Sequence, residues 1–385
     1  MQTVIVIVPA IRATRVAPIT AVREGAALEP SAVGRRSGAT ALVTTGTVTS
    51  AALLAQRLPP GAAHQYVPLD NPFFLRRFLA HWRPGAALFA ESELWPNMIV
   101  EAKRAGFPLA LINGRMSERS FNRWRKAPRF IGELLGRFDL CLARSEADGD
   151  RLAFLGAPNV LIAGDIKFDA PALPADRREL AELSGLTSGR QIWIAASTHE
   201  GEEMIAAEAH KRLTQVFPDA LTLVAPRHPE RGETILRQLE AQGLVCALRS
   251  RGNRPGPDVA VYICDTIGEL GLFYRLAGVV MVGKSFSGGG GQNPIEPARL
   301  ASAILHGPKV GNFSEAYAML DDAGGALEIA DPADLGDALI SLFASAARLR
   351  AMARAAADTV EQRAGAVERS MKALTPLLQI AGVKL

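Results

Sequence analysis

The second half of the chain carries two stretches whose residue types suit a phosphate group. In the first, IWIAASTHEGEE, Ser197 and Thr198 follow an apolar run and precede a helical pattern. Free amides at the start of a helix attract anions, and small hydroxyl residues let a phosphate approach. In the second, LTLVAPRHPER, Arg227 ends an apolar run, and a guanidinium group binds phosphate through paired hydrogen bonds. Each stretch also has a plainer interpretation, as a helix cap and as a solvated charged turn.

A third stretch, SFSGGGGQNPIEP, places four consecutive glycines between an apolar run and the start of a helix. Asn293 can cap that helix, and Glu296 follows three residues later, so Glu296 could be the carboxylate of a capping box. Alternatively, the glycines, Gly290 and Gly291 among them, let backbone amides come close to a ligand while Glu296 accepts hydrogen bonds from sugar hydroxyls. The local pattern does not decide between these two interpretations.

In the first half of the chain, ALFAESELWPN places two acidic residues directly after an apolar run. Glu91 and Glu93 are two residues apart, and on an extended chain such residues point the same way, so both carboxylates could face one pocket. Two acids in a pocket suit acid/base chemistry or the binding of hydroxyl groups. The alternative is that they cap the following helix or pair with Arg115.

Two further segments combine charge with apolar residues. In NGRMSERSFNRWRKAPRF, Arg119 and Arg123 lie beside Phe121 and Trp124, a combination that suits either lipid phosphates or a solvated helix face. The run from 344 to 374 has the pattern of one amphipathic helix rich in Ala and Arg. We expect this helix to pack on a domain rather than to bind a membrane.

Composition limits the possible classes of protein. The 385 residues are 48% hydrophobic, so the chain can bury large cores, and its length favours two domains. The net charge is only +4, without blocks of Lys and Arg, so we expect an anionic small molecule or lipid as partner and no nucleic acid. Cys141, Cys246 and Cys264 fit neither disulfides nor zinc and are predicted to be reduced core thiols of a cytoplasmic protein. No segment reaches the roughly 20 apolar residues of a membrane span.

The order of apolar runs predicts the elements that must position these residues. Short β-type runs alternate with amphipathic helical segments, which indicates parallel sheets covered by helices. The first set of predicted strands covers 41–46, 86–92, 108–114, 140–146 and 160–165. After a segment rich in Pro and Ala, a second set covers 192–197, 221–229, 244–248, 259–265, 278–286 and 302–308. Two doubly wound α/β domains in tandem follow, with ligands at the carboxyl ends of the strands, where the domains face each other across a cleft.

Taken together, the motifs resemble one known family. In order along the chain they are ESELWPN, NGRMSERSFNRWRK, SEADGDRLAFLGAPNVLIAGDIKFD, AASTHEGEE, APRHPER, DTIGELGLFYRLAGVVMVG and GGQNPIEP. From about Ala41 to about Met319 the chain is similar to 3-deoxy-D-manno-octulosonic acid (Kdo) transferases. The resemblance implies a GT-B glycosyltransferase with two Rossmann-like domains. Residues 1–172 would form the acceptor domain, and residues 173–385 the domain that binds the donor, CMP-Kdo.

The resemblance also implies a reaction. Such enzymes transfer Kdo from CMP-Kdo to a lipid A precursor, lipid IVA, in lipopolysaccharide biosynthesis at the cytoplasmic face of the inner membrane. They invert the anomeric centre and use neither a metal ion nor a cofactor. The chain is therefore expected to be a peripheral membrane protein whose partners are CMP-Kdo, the lipid A precursor and the membrane surface.

Site residues carry over from the family motif by motif. Arg227 would bind the CMP phosphate, with Ser197 and Thr198 beside it, and Asn293 and Glu296 would hold the ribose. Gly290 and Gly291 belong to the donor loop. Lys167 of GDIKFD would lie near the negative groups of the donor, and Glu91 would line the catalytic cleft. Because the acceptor side should lie in the first domain, acceptor binding is predicted for Arg115, Arg119 and Arg123.

The chain departs from the family at its start. The family's general base is a glutamate in a G-A-S-x-G-E motif at the first strand-to-helix turn, and this motif is absent from the printed sequence. Residues 1–38 are atypical, and we attribute them to a frameshift, a mis-assigned start or degeneration of the reading frame. The context of Glu24 does not match, so the role of the base is not moved onto it. Alternatives to an active transferase are a donor-binding chain that lacks the base, and another GT-B enzyme that uses a nucleotide sugar.

Two smaller departures fall in the third stretch. Members of the family commonly have glycine and histidine where this chain has Lys284 and Gln292. Both replacements are polar and fit a site for phosphate or sugar, so the predicted fold is unaffected. Contacts with the donor are expected to differ.

Overall fold

The chain divides into two α/β units in a computed structural model, which describes residues 2–7, 39–48, 51, 54, 55, 58 and 61–382. One unit takes Met1–Pro171 and Arg363–Leu385, and the other takes Ala172–Gln362. Each unit contains one seven-stranded sheet in which every described pair of strands is parallel. The predicted fold class is confirmed.

The sheet of the first unit has the strand order β3-β2-β1-β4-β5-β6-β7. Its strands are β1 Gln2–Ile7, β2 Ala39–Thr45, β3 Ala62–Tyr66, β4 Pro84–Ala90, β5 Leu109–Gly114, β6 Leu140–Ala143 and β7 Val160–Ile162. The helices between them are α1 Pro72–Trp82, α2 Pro96–Arg104, α3 Glu118–Trp124, α4 Pro128–Leu135 and α5 Glu146–Phe154. A short 3-10 helix, Ile166–Asp169, follows the last strand.

The core of the first unit forms around its inner strands. In β4 and β6 nearly every residue is buried, because helices cover both faces of a parallel sheet. Phe89 and Phe138 meet edge to face in the centre, with ring centroids 5.4 Å apart. This packing fixes the carboxyl end of β4, where the acidic residues of ESELWPN begin.

The first strand lies at the centre of this sheet. Gln2–Ile7 pairs in parallel with both β2 and β4, so the direction in which strands are added reverses there. A strand at this position is not among those predicted from the sequence. The rest of the atypical tract, residues 8–38, lies outside the described residues, and so does Glu24.

The second unit repeats the plan with the strand order β10-β11-β9-β8-β12-β13-β14. Its strands are β8 Ile192–Thr198, β9 Leu221–Pro226, β10 Cys246–Leu248, β11 Val261–Ile263, β12 Val279–Val282, β13 Ala303–His306 and β14 Ala326–Glu328. Its helices are α6 Arg177–Leu186, α7 Glu202–Thr214, α8 Gly232–Glu240, α9 Leu270–Leu276, α10 Ile295–Arg299, α11 Ser314–Asp322, α12 Leu335–Phe343 and α13 Ala346–Gln362. Trp193 and Met281, from neighbouring strands, are fully buried in the core.

The C-terminal segment corrects the predicted domain boundary. Instead of one helix in a domain that runs to residue 385, α13 ends at Gln362 and a new helix, α14, covers Ala366–Ile380. Gly365 interrupts the pattern with a φ of 89°. Leu374, Leu377 and Leu378 of α14 pack against Ala86 and Leu88 of β4. Because these leucines are buried against β4, α14 belongs to the first unit.

Polar contacts hold the same junction. The carboxylate of Asp169 accepts hydrogen bonds from the backbone amides of Gly365 and Val367, the second at 2.5 Å. The Arg369 guanidinium donates to the Ala163 carbonyl at 2.8 Å.

Among the described residues, no helix is both long and apolar enough to cross a membrane.

Candidate functional site

The carboxyl ends of three neighbouring strands form the main candidate site, in the second unit. The chain builds β9 on one side of β8 and β12 on the other, so the strand order reverses at β8. In open α/β sheets, ligands bind at such a reversal, beyond the carboxyl ends of the strands. Ser197 and Thr198 end β8, Arg227 follows β9, and Lys284 follows β12. The motifs predicted from the second half of the chain therefore meet at one edge.

The backbone is strained at this edge. Ser197 has a φ of 56° and Lys284 a φ of 61°, a left-handed conformation that is costly for residues other than glycine. Ser197 is also the extra residue of a bulge, because the pairing of β8 with β9 shifts between Ala196 and Thr198. Bulges and strained residues concentrate at functional sites, where they redirect side chains. Between the two strands, a methyl group on Gly283 would lie 2.4 Å from the Ser197 carbonyl oxygen.

The four glycines form a left-handed loop. From Gly288 to Gly291 the φ angles are 61°, 72°, 119° and 63°. The Gly290 amide donates to the Lys309 carbonyl at 2.9 Å, and its carbonyl accepts from the Asn312 amide at 2.7 Å. The Gly291 amide donates to the Lys284 carbonyl at 2.9 Å. These backbone hydrogen bonds tie the loop to the sheet edge.

Alanine substitutions in this loop should separate conformational strain from steric crowding. A methyl group at Gly291 would lie 3.0 Å from Cε2 of Tyr317 and 3.1 Å from Cα of Val310, whereas one at Gly289 would meet nothing within 4 Å. Their φ angles of 63° and 72° are similar, so both substitutions carry the cost of a left-handed residue, about 1–2 kcal/mol. We expect Gly291→Ala to lower the free energy of unfolding by about 1–3 kcal/mol more than Gly289→Ala, in urea titrations, because the buried Tyr317 ring and the Val310 backbone must move. Equal losses would contradict the crowding at Gly291.

A buried carboxylate that the sequence analysis did not single out anchors this loop. Glu202, in the first turn of α7, accepts backbone hydrogen bonds from His199 at 2.9 Å and from Lys284 at 2.7 Å. It also accepts from Phe286 at 3.1 Å and from Ser287 at 3.2 Å. Four amides satisfy one fully buried carboxylate and join the turn after β8 to the glycine loop. An acidic residue in a first helical turn ordinarily predicts only a favourable interaction with the helix dipole.

The environment of Thr198 contradicts the prediction that its hydroxyl lies beside a bound phosphate. Its side chain is fully buried, and its hydroxyl donates to Glu203 Oε1 at 2.7 Å. Both carboxylate oxygens of Glu203 in turn accept from Arg231, at 2.7 and 3.1 Å. The hydroxyl is therefore engaged inside the unit and does not reach a ligand. Gly201, with no side-chain hydrogen bond, caps α7, so neither Ser197 nor Thr198 has the predicted capping role.

Asn293 and Glu296 form a local pair that differs from a full capping box. The Asn293 side chain accepts from the Ile295 amide at 3.0 Å and donates to Glu296 Oε1 at 3.1 Å. A complete box would instead use the Glu296 carboxylate to accept a backbone N–H. Burial raises the pKa of Glu296, and the Asn293 hydrogen bond and the charge of Arg227 oppose that rise. Arg227 and Glu296 therefore lie close enough for their charges to interact.

Two imidazoles and an amide complete this edge. The His199 and His228 rings meet edge to face with centroids 6.0 Å apart. His199 Nε2 lies 2.9 Å from Nε2 of Gln292, so the loop and the turn after β8 also touch through side chains. Burial lowers the pKa of His199, which favours a neutral ring that accepts from the Gln292 amide.

The corresponding edge of the first unit holds a buried ion pair. Glu91 follows β4 with a φ of 57°, and its Oε1 lies 3.0 Å from Nζ of Lys167. Each of the two side chains is only 6% exposed. Lys167 was predicted to approach the negative groups of a donor, and its ammonium in fact contacts Glu91. The opposite charges of the two side chains neutralise each other in this buried ion pair.

Glu93 does not share that pairing. Its carboxylate accepts a hydrogen bond from the Trp95 indole, and burial is the main cause that raises its pKa. The charge of Glu91 contributes to the same rise, so the two carboxylates interact. Neither caps α2, which Trp95 precedes without a side-chain hydrogen bond.

A buried amide, which the sequence analysis also missed, supports the ion pair. Asn113, at the end of β5, has a φ of 49° and is 2% exposed. Its Oδ1 accepts from the Ile166 amide at 3.1 Å, next to Lys167. The sequence signal for this role is only an asparagine followed by a glycine. That signal is weak, because asparagine adopts the left-handed conformation in many turns.

The three arginines predicted to bind an acceptor are not equivalent. Arg115 follows β5, is partly buried, and donates its amide to the Glu91 carbonyl at 3.2 Å. Arg119 and Arg123 are exposed on α3. The Arg123 guanidinium lies 5.6 Å from the centre of the Trp124 ring. Arg115 thus belongs to the strand edge, and the other two form a surface.

Potential metal ligands are also scattered. In the described part of the chain, no group of three or more His, Cys, Asp or Glu side chains is arranged to hold a metal ion. All three cysteines are free thiols, with Cys141 and Cys264 buried and Cys246 partly buried.

Comparisons with known proteins point to one family. The sequence profile of 3-deoxy-D-manno-octulosonic-acid transferases matches residues 24–170. A probable mitochondrial 3-deoxy-D-manno-octulosonic acid transferase of Arabidopsis thaliana is 34% identical over 337 residues, 85% of this chain and 75% of the relative. The 3-deoxy-D-manno-octulosonic acid transferase of Bordetella pertussis is 37% identical over 316 residues, 80% of this chain and 73% of the relative.

A solved structure extends the likeness of fold to the whole chain. The crystal structure of a glycosyltransferase from Rickettsia africae superposes with a TM-score of 0.62 and covers 98% of each chain, at 12% sequence identity. At that identity, the likeness speaks for the fold alone, which is of the GT-B type.

Proposed function

The chain belongs to the 3-deoxy-D-manno-octulosonic acid (Kdo) transferase family, and we propose that it transfers Kdo from CMP-Kdo to a lipid A precursor, lipid IVA. One observation carries the proposal. Arg227, the glycine loop and the Asn293–Glu296 pair, which come from separate parts of the sequence, meet where the strand order of the second unit reverses at β8. These groups provide the charges and hydrogen bonds that a nucleotide needs.

Each part of CMP has a chemical counterpart at this edge. The Arg227 guanidinium binds the phosphate through charge-assisted hydrogen bonds, and Ser197 contributes its hydroxyl beside it. The Glu296 carboxylate accepts hydrogen bonds from the ribose hydroxyls, while Asn293 keeps it in position at 3.1 Å. Gly290 and Gly291 let the nucleotide approach the backbone, because a side chain at either position would crowd the loop.

The donor's own chemistry determines what the protein must supply. The bond from Kdo to CMP breaks with its electron pair on the phosphate, which is already an anion. Positive side chains can stabilise that departure without a metal ion or a strong acid. The acceptor hydroxyl then attacks the anomeric carbon from the opposite face and inverts it, and the proton of the hydroxyl is released to water. In this scheme the reaction needs neither a metal nor a cofactor, and Arg227 supplies the principal charge.

The first unit is assigned the acceptor. The hydroxyl of the acceptor must lose a proton. The Glu91 carboxylate already pairs with Lys167, so we assign Glu91 a positioning role rather than the role of the base. Arg115, Arg119 and Arg123 suit the phosphate groups of the precursor. Phe130 is 50% and Phe154 74% exposed on the same unit. Basic and aromatic groups together support peripheral binding at the cytoplasmic face of the inner membrane.

A second candidate is donor binding without turnover. It is favoured by one observation, that the sequence contains no G-A-S-x-G-E motif with the glutamate that acts as base in the family. Such a chain would keep the groups of the second unit and bind CMP-Kdo without transferring the sugar.

One experiment tests both candidates on the purified full-length chain. Calorimetry with CMP, UDP and ADP measures binding, and incubation with CMP-Kdo and a tetraacylated lipid A precursor measures transfer. We expect selective CMP binding and transfer that persists in EDTA. Binding without transfer would favour the second candidate. Binding of UDP or ADP in preference to CMP would indicate a different nucleotide-sugar enzyme, and the absence of CMP binding would contradict both candidates.

A further inference from the structure

Lys284 follows β12 and has a left-handed backbone conformation, which is uncommon for lysine. We propose that its ammonium group recognises the carboxylate of the donor sugar. The inference rests on the proposed function, because it requires a donor in which an acidic sugar is joined to CMP. It assigns Lys284 a role in specificity, separate from the role of Arg227 on the phosphate.

The backbone conformation of Lys284 is the first support. Its φ of 61° is left-handed, a conformation that glycine adopts without strain and lysine does not. Neighbouring groups enforce it, because the Lys284 amide donates to Glu202 Oε2 at 2.7 Å and its carbonyl accepts from the Gly291 amide at 2.9 Å. Glycine would satisfy the same two hydrogen bonds at lower cost. A lysine that keeps a strained backbone conformation where glycine would be unstrained indicates that its side chain has a function.

The charge of Lys284 is the second support. Among the described residues its ammonium forms no ion pair, while most of the charged side chains at this edge have partners. The side chain nevertheless stays near the site. Burial is the main cause that lowers the pKa of His199, and the positive charges of Lys284 and Arg227 add to that effect. An ammonium close to His199 and without a carboxylate partner is suited to an anionic ligand.

The strand order is the third support. Arg227 follows β9 and Lys284 follows β12, and these strands flank β8 on opposite sides. Neighbouring strands lie about 4.8 Å apart, so the two backbones are roughly 10 Å apart and both long side chains can reach over the end of β8. The sugar carboxylate and the phosphate of CMP-Kdo are attached to the same carbon atom. Two cations from opposite sides fit two such anions, and Arg227, beside Glu296, is the one nearer the ribose.

The test compares CMP with CMP-Kdo, which differ by the acidic sugar. We expect Lys284→Met to weaken the direct binding of CMP-Kdo about 10-fold or more, with CMP affinity changed less than about 2-fold. Lys284→Arg should retain most of the affinity for CMP-Kdo. Lys284→Gly should show the same loss as Lys284→Met while its Tm rises by a few degrees, because glycine relieves the strain. Binding is measured directly, so the comparison does not depend on turnover.

The outcomes separate the two proposals. Lys211 of the same unit, whose ammonium pairs with Glu208 on α7, provides the control, and Lys211→Met should leave both affinities unchanged. Equal weakening of CMP and CMP-Kdo in Lys284→Met would overturn the assignment to the carboxylate, as would unchanged affinity for CMP-Kdo. In either case the proposed function would stand. If the unmodified chain bound neither ligand, the proposed function would fail, and the inference with it.

Discussion

An Arg227→Ala variant is expected to bind CMP about 100-fold more weakly than the unmodified chain and to lose transfer activity at least as strongly. The guanidinium is partly buried at the end of β9, beside Glu296. Charge-assisted hydrogen bonds to a desolvated anion contribute about 1.5–3 kcal/mol, and about 1.4 kcal/mol corresponds to each factor of ten. Removal also leaves Glu296 without its neighbouring cation. Calorimetry with CMP measures the effect.

Two further variants show whether the loss is specific. Arg227→Lys keeps the charge but not the paired hydrogen bonds, so it should recover only part of the affinity. Arg251 pairs with Glu233 on the surface of the same unit and is 54% exposed, so Arg251→Ala should bind CMP normally. If Arg227→Ala bound CMP as tightly as Arg251→Ala does, the assignment of the phosphate site would be wrong.

The second large effect concerns stability. Replacing either member of the Glu91–Lys167 pair should lower the free energy of unfolding by about 3–5 kcal/mol, because the other charge would remain buried without the opposite charge of this ion pair. The double variant Glu91→Gln with Lys167→Met should recover most of this loss, since no buried charge remains. Urea unfolding of the four proteins gives the coupling energy between the two residues.

The surface provides a matched control for this cycle. Lys211 and Glu208 pair at 2.8 Å with side chains 37% and 66% exposed, so single replacements there should cost less than about 1 kcal/mol. Additive losses at Glu91 and Lys167 would contradict a coupled buried pair. Transfer activity adds a separate readout: a stable double variant without activity would show that the pair is also needed for the reaction.

Much of the fold could be predicted from the sequence because parallel strands buried on both faces are nearly continuous apolar runs. Three strands were missed for identifiable reasons. Ala62–Tyr66 is an edge strand with little apolar character, Ala326–Glu328 is three residues long, and Gln2–Ile7 precedes an atypical tract. The pattern of α14 reveals an apolar face but not which sheet covers it, because Leu374 meets Ala86 only in the folded chain.

The site shows the same limit. Arg227, the glycines, Asn293 and Glu296 could be singled out because each lies in a motif between a strand and a helix, and strand order then brings the motifs together; their binding roles stay predictions. The roles of Glu202 and Lys167 could not be predicted, because three of the four amides that donate to Glu202 and the carboxylate that Lys167 contacts are distant in sequence. An acidic residue at the start of a helix and a lysine in a loop have many ordinary explanations, and only the fold gives Glu202 its four amides and Lys167 its carboxylate.

The most direct test of the central claim is a quantitative assay of the two products. The purified chain is incubated with CMP-Kdo and a tetraacylated lipid A precursor, and free CMP and Kdo-modified lipid are both measured over time. We predict that CMP is released in proportion to the Kdo attached to lipid, and that Arg227→Ala slows both by the same factor. Release of CMP without modified lipid, or no consumption of CMP-Kdo above the rate without protein, would contradict Kdo transfer by this chain.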